Sequence, residues 1–405
     1  MIPGVEDEAM RFATRVLVPS MALVFSSVVV ACLWDHDTIK MERARFPETL
    51  ELITGKFLRH SPEFYEWRIK DRLKRLETDP RNVALLDDLA VAYDKTGRHD
   101  LAIETARMTE KIQPGRYETA ANLGTFHFHA GKLGEGIPHI ERALKINPNA
   151  HFGREKFQKA LVEYVLKRRK AGATLPLAHV TLYDTPHSPG SAFAQQATIS
   201  LSFFDHLWPK ALEDGRLRVG QDEITAAING VLGMMKFGKH DTPVLLEALG
   251  SLLAQRNLQL HGDAKLLACR AYLKASYEAP DDKTRAAYRG MAASILKLQT
   301  PEGAETQIEP EQVEAEFKKE LDEAKAWYAE LHEREKSWIR EGKDADSEFD
   351  KLYDQIPPIS GYVAAETLAA EERWQEFSNL GVKFGIPAFI LMAICWFVYS
   401  HRKRE

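Results

Sequence analysis

A spacing of 34 residues constrains this chain more than any other feature of its sequence. The stretches "LAVAYDKTGRHDLAIETARMTEKIQP" (Leu89 to Pro114) and "LGTFHFHAGKLGEGIPHIERALKINP" (Leu123 to Pro148) differ at most positions. Yet Ala90 maps onto Gly124, Gly97 onto Gly131 and Pro114 onto Pro148, each 34 residues on. That period belongs to helical hairpins that must stack, because one hairpin cannot bury its apolar face alone. In each unit an apolar helix (Leu86, Leu89, Ala90, Tyr93; then Ala120, Leu123, Gly124) runs into a glycine turn. A second helix (Leu101, Ala102, Ala106; then Ile137, Ile140, Ala143, Leu144) then runs to the proline. Small residues let helices approach closely, and Gly97 and Gly131 supply the left-handed turn. The sequence predicts an all-α, helical-hairpin repeat fold, an α-solenoid.

The pattern extends both ways with less regularity. "HSPEFYEWRIKDRLKRLETDP" offers Ser61 as an N-cap and Pro62 at the first helical position, and it ends at Pro80, 34 residues before Pro114. With a helix predicted over Pro47 to Leu58, three hairpins occupy 48–148, and Phe152 to Lys170 takes the place of a solvating helix that closes an array over 35–170. Residues 171–222 break the rhythm with Pro176, Pro186, Pro189 and Gly190, and read as an irregular linker or insert with an extended piece at His179 to Tyr183. Hairpins resume over 223–300, turning at Gly238, with Asp241 as a cap, and again at Ala279 to Asp282. Residues 310–342 form one long charged helix. Its Phe317, Leu321, Ala324, Tyr328, Leu331 and Trp338 keep a four-three spacing broken only by Glu335. That stripe has two readings: packing on the array, or a coiled coil with a second copy through 310–341, which would make the chain a self-associating structural protein.

Two apolar segments flank this body. Val16 to Trp34 runs without a charge, long enough to cross a bilayer as a helix, and 380–400 repeats the theme ahead of the basic tail 401–405. Lys383 can snorkel, and Trp396 and Tyr399 suit the membrane boundary. Arg402, Lys403 and Arg404 mark the cytoplasmic side, as the short tail 1–15 would also be, with 343–379 as a juxtamembrane region. The body is thereby expected at the outer face of a bacterial inner membrane, in the periplasm. The first segment also admits a cleaved signal, or lipidation at Cys32 after Val29, Val30 and Ala31; every version leaves the body on the same face.

Chemistry is sparse. Net charge is −5, and no basic stripe carries interleaved aromatics, so nothing points to nucleic acid. With Cys32 and Cys395 in the apolar segments, Cys269 is the one thiol of the body and reads as a small core residue. No phosphate loop, zinc-binding His-Glu-x-x-His helix or nucleophile elbow occurs. His127, His129 and His139 cluster in sequence, but His127 and His129 are two apart on a helix and point in different directions, so no metal or cofactor is expected. No pair of carboxylates stands out for acid and base work. An envelope enzyme remains a rival reading, its site in 171–220 built from His179, Tyr183, Asp184, His187 and His206, with the repeats as a docking platform.

On Leu86, Leu89, Ala90, Tyr93, Gly97, Ala102 and Pro114, and then Leu123, Gly124, Gly131, Ala143 and Pro148, the chain resembles the tetratricopeptide repeat (TPR) family. It departs at His127, where the family has tyrosine, and at Gly136, where it has alanine. The resemblance implies a concave groove lined by the first helices of the hairpins, here Asp87, Asp88, Val91, Asp94, Glu118, Asn122, Thr125 and His129. Asn122 stands where the family often hydrogen-bonds a ligand backbone. The groove lacks the lysines that clamp a C-terminal carboxylate in some members, and its acidic tint favours a neutral or basic segment. The expected function is a membrane-tethered scaffold or adaptor that binds other proteins or peptide segments, not an enzyme.

Overall fold

The turn glycines adopt the conformation that their spacing demands. Gly97 and Gly131 have φ of 77° and 76°. Gly97 N–H donates to Asp94 O at 3.0 Å and Arg98 N–H to Tyr93 O at 2.8 Å, and the same bonds recur one repeat later. There Gly131 N–H donates to Phe128 O at 3.0 Å and Lys132 N–H to His127 O at 2.9 Å. A computed structural model describes residues 33, 35, 46–148, 153–184, 195–213, 216–217, 219–257, 264–297 and 309–355. The chain falls into two units, 1–39 with 47–349 and 40–46 with 350–405. The described residues lie almost wholly in the first, to which all that follows refers.

The first part of the chain is α1 (Thr49–Thr54), α2 (Pro62–Thr78), α3 (Val83–Lys95), α4 (His99–Ile112), α5 (Tyr117–His129), α6 (Leu133–Ile146) and α7 (Arg154–Lys170). Ser61 caps α2 as its sequence suggests, its Oγ accepting from Phe64 N–H at 3.1 Å, and Asn82 caps α3. From α2 to α7 each helix packs on the next. Between α5 and α6 the approach is close. A Cβ on Gly136 would lie 2.6 Å from Gly124 O and 2.4 Å from the Phe128 ring, and one on Gly124 would lie 2.5 Å from Ile140 Cδ1. Gly136, the departure from the repeat pattern, is therefore the hollow into which Phe128 fits.

Then come β1 (His179–Asp184), β2 (Gln195–Ser200), α8 (Phe203–Leu207), β3 (Leu212–Glu213), β4 (Arg216–Leu217), α9 (Gln221–Phe237), α10 (Pro243–Asn257), α11 (Ala264–Tyr277), α12 (Asp282–Leu296), α13 (Pro310–Arg340) and α14 (Ala345–Gln355). Three expectations change here. First, α7 does not close the array. It lies between α6 and α9 and buries Phe157, Leu161, Val162 and Val165, with Gly230 of α9 receiving the Phe157 ring. Secondly, the described residues of 171–222 hold paired strands where an irregular linker or insert is expected. β1 and β2 pair antiparallel from His179 opposite Ser200 to Asp184 opposite Gln195, and both strands lie on α12. The approach to β1 is pinned by the buried carboxylate of Glu247, which accepts from Leu177 N–H (2.9 Å), Ala178 N–H (2.7 Å) and Tyr288 O–H (2.9 Å). Thirdly, α10 begins at Pro243, so Thr242 rather than Asp241 precedes it, and Leu246 N–H bonds Thr242 O at 3.0 Å. The turns at Gly238 and before Asp282 fall where the sequence puts them, with Asp281 capping α12 at 2.7 Å from Thr284 N–H. Cys269 is buried in α11, and burial pushes its thiol up to about 12.

The long helix resolves the stripe. α13 packs on α11 and also returns to α1 and α2, burying Val313, Phe317, Leu321, Ala324 and Leu331 within its own chain. Of the two readings of the stripe, packing on the array accounts for these five residues inside the protomer, while Tyr328 and Trp338 of the stripe are half-buried. Glu335, the break in the pattern, is buried as well. Its Oε1 lies 2.7 Å from His60 Nδ1, and its Oε2 accepts from Ser61 N–H at 2.8 Å. Nearby, the buried Arg68 of α2 reaches Asp346 at 2.6 Å and Asp35 at 3.1 Å, and Arg72 bonds Asp346 and, at 2.8 Å, Asp88. The last long helix is therefore locked onto the first hairpin by buried polar groups. Residues 16–32 and 380–400, and with them Cys32, lie outside the described residues; among the described residues, no helix is long and apolar enough to cross a membrane.

Candidate functional site

The face that the sequence offers as a groove is built by α3 and α5, whose first-helix positions line up one repeat apart. The structure encloses it. Asp87, Asp88, Val91, Asp94, Asn122, Thr125 and His129 are all buried, and Glu118 alone is partly open, its carboxylate 3.6 Å from Arg116 Nε. Asp87 accepts from Arg116 Nη1 at 2.6 Å; burial pushes its carboxyl up to about 7, although Arg116 opposes the shift. Asp88 accepts from Arg72, and Thr125 Oγ1 accepts from Gln158 Nε2 at 3.0 Å. Val91 packs among Leu33, Ala102, Ile103, Leu123 and Phe126. As an open, wet face this groove is corrected: its polar residues are satisfied by partners from α2, α7 and the loop before α5, at sequence separations of 16 to 33.

One polar constellation on this face has a different composition. Asp94, in the last turn of α3, has Oδ1 2.8 Å from Nδ1 of His99, the first residue of α4. Its Oδ2 is 2.7 Å from Nδ1 of His129, the last residue of α5. The Asp94 and His129 side chains are 1% and 5% exposed, and that of His99 is 30% exposed. Burial alone would raise the Asp94 carboxyl, but the imidazoles outweigh it and hold the group at about 2. Among the described residues, this is the one group of three His, Cys, Asp or Glu side chains whose ligand atoms all lie within 4.8 Å of one another. The sequence cluster of His127, His129 and His139 does not assemble. His127 stacks on His139 with ring centroids 5.3 Å apart, while His129 turns to Asp94. The signal that could have found the true trio is the repeat itself: the 34-residue register superposes Lys95 on His129, so Asp94 and His129 must end neighbouring stacked helices.

The described enzyme candidates of the insert fall on two elements. His179 and Tyr183 lie on β1, with His179 Nε2 3.5 Å from Thr181 Oγ1. Asp184 ends the strand, opposite Gln195. His206 lies on α8, 5.6 Å from the Tyr164 ring, and burial lowers its basicity. His187 lies outside the described residues. No hydrogen bond or ion pair among the described residues joins His179, Tyr183 and His206.

The outer surface of the repeats carries the remaining candidate. Leu101 and Met108, 44% and 41% exposed, are seven apart on α4 and so share one face. A shallow depression of about 620 Å³ opens between α2, the end of α3 and α13, beside Trp67, Lys70, Thr96 and Ile339.

No protein-family model matches the chain. Over 76 residues, 19% of this chain, it is 26% identical to the Small glutamine-rich tetratricopeptide repeat-containing protein 2 of Mycosarcoma maydis. That stretch covers 22% of the relative, so the chain spans about a fifth of the length of the curated protein it matches.

Proposed function

We propose that this chain is a TPR-like scaffold that binds other proteins, tethered by residues 16–34 and 380–400 at the outer face of a bacterial inner membrane. The observation that carries the binding role is the repeat stack, in which Gly97 and Gly131 close equivalent turns one period apart. The similarity to a tetratricopeptide repeat-containing protein supports it. Because the inner face of α3 and α5 is filled, the partner docks on the outer surface, where Leu101 and Met108 offer apolar area that water leaves willingly. Tethering would raise the local concentration of whatever is held there.

A photo-crosslinking residue at 101 or 108 in the full chain is expected to trap a discrete partner in intact cells, and the same residue at Asp282, exposed at the start of α12, is not. Equal trapping at all three positions would remove the outer face as the site. The tether rests on the two apolar segments and is tested separately. Protease added to spheroplasts should cut a tagged full-length chain within 300–309, and protease added to inverted vesicles should not; the reverse pattern would put the body in the cytoplasm.

A further inference from the structure

We propose that Asp94, His99 and His129 bind one borderline divalent metal cation, of the class of Zn²⁺, which clamps the hairpin of α3 and α4 to that of α5 and α6. The inference goes beyond the scaffold reading and does not depend on which partner the scaffold holds.

Three features carry it. The first is spacing. Asp94 Oδ1 and His99 Nδ1 are 2.8 Å apart, Asp94 Oδ2 and His129 Nδ1 are 2.7 Å apart, and the whole donor set lies within 4.8 Å. A tetrahedral zinc ion with bonds of about 2.0–2.2 Å holds its donors about 3.3–3.5 Å from one another. Both contacts are hydrogen bonds shorter than that spacing, so an ion seated here takes the place of the two Nδ1 protons, with side-chain rotations widening the set and each imidazole moving its proton to Nε2. The second is charge. Asp94 is a carboxylate only 1% exposed, and its two oxygens face the Nδ1 atoms of His99 and His129. A dication seated there would meet the carboxylate in a region shielded from water, where their attraction is little screened. The third is placement. All three ligands sit at helix ends fixed by the repeat, in α3, α4 and α5, so the backbone holds them before any ion arrives.

The donor chemistry selects the metal. Two imidazole nitrogens and one carboxylate suit Zn²⁺, Co²⁺ or Ni²⁺, whereas Ca²⁺ and Mg²⁺ take oxygen. The side open to solvent at His99 leaves a fourth position for water or for a side chain of a docked protein.

The test titrates the purified, chelator-stripped full chain with Zn²⁺ against a competing indicator dye, and with Co²⁺ for its visible ligand-field absorption. One ion per chain is expected. Asp94→Asn, His99→Ala and His129→Ala should each weaken binding by at least about 100-fold, with the cobalt band lost or shifted. His127→Ala and His139→Ala should bind as the parent does. If the buried variants fail to fold, His99→Ala carries the test, because its side chain is partly exposed and its loss leaves the helices in place by circular dichroism. Undiminished affinity in folded His99→Ala, no uptake by the parent beyond that of His129→Ala, or loss of the ion in His127→Ala or His139→Ala would each overturn the assignment.

Discussion

Replacing Glu335 by leucine is expected to destabilise the protein by about 2 kcal/mol, although leucine would complete the apolar stripe of α13. By pattern alone the substitution should help, since a leucine in place of a charge on a buried helix face contributes about 1.5–3 kcal/mol of burial. The structure reverses the sign. Glu335 is the acceptor for both His60 Nδ1 and the Ser61 N–H, and Ser61 is the residue that caps α2. His60 cannot swing out to water to find another, because its ring is stacked 3.6 Å from that of Phe64 and lies 3.9 Å from that of Phe349. Each buried donor that loses this acceptor costs about 1–3 kcal/mol, and at the middle of that range the two together outweigh the burial that leucine adds by about 2 kcal/mol. Glu335→Gln keeps an acceptor for Ser61 and should cost about 1 kcal/mol. Urea unfolding of the full chain separates the two readings: a midpoint for Glu335→Leu at or above that of the parent would show that the carboxylate is not an anchor.

Gly136→Ala is the second large effect, expected at about 2 kcal/mol of destabilisation at a position where helix propensity favours alanine by about 1 kcal/mol. Propensity loses because the added methyl meets backbone as well as side chain: Gly124 O at 2.6 Å and the Phe128 ring at 2.4 Å. A ring can turn or be trimmed, but a helix carbonyl moves only if the two helices part. Pairing Gly136→Ala with Phe128→Leu should therefore recover only part of the loss in the same denaturant titration. Full recovery would mean that the ring alone sets the distance between α5 and α6.

The same two positions show how much of the fold is legible without coordinates. The 34-residue register, the cap at Ser61, the turn before Asp282 and the extent of α13 follow from local rules, because turn chemistry and helix periodicity are written within a few residues of where they act. Gly136 reads as an imperfect repeat because its justification, Phe128, lies across a hairpin. Glu335 reads as a flaw in a stripe because its partners lie about 275 residues away. The face of α3 and α5 is misread for the same reason. Asp87, Asp88 and Thr125 look like a polar surface until Arg116, Arg72 and Gln158 are seen to satisfy them. β2 escapes because "QQATIS" has neither strong alternation nor a turn pair ahead of it. The Asp94, His99 and His129 trio is half legible. Asp94 and His129 stand out through the resemblance, but His99 joins them only once the Gly97 turn folds α4 back.

The return of α13 to α2 also sets a timetable. Ser61 and Glu335 are separated by 274 residues. A ribosome adding about 5–20 residues per second delivers the second roughly 15–55 s after the first. Throughout that interval the opening hairpin has emerged without the helix that completes its N-terminus, and its apolar flank faces whatever surrounds the nascent chain. Most repeat arrays can consolidate unit by unit as they are made. This one cannot finish its beginning until its end has been synthesised, so a truncation short of Glu335 should injure the first hairpin rather than the last.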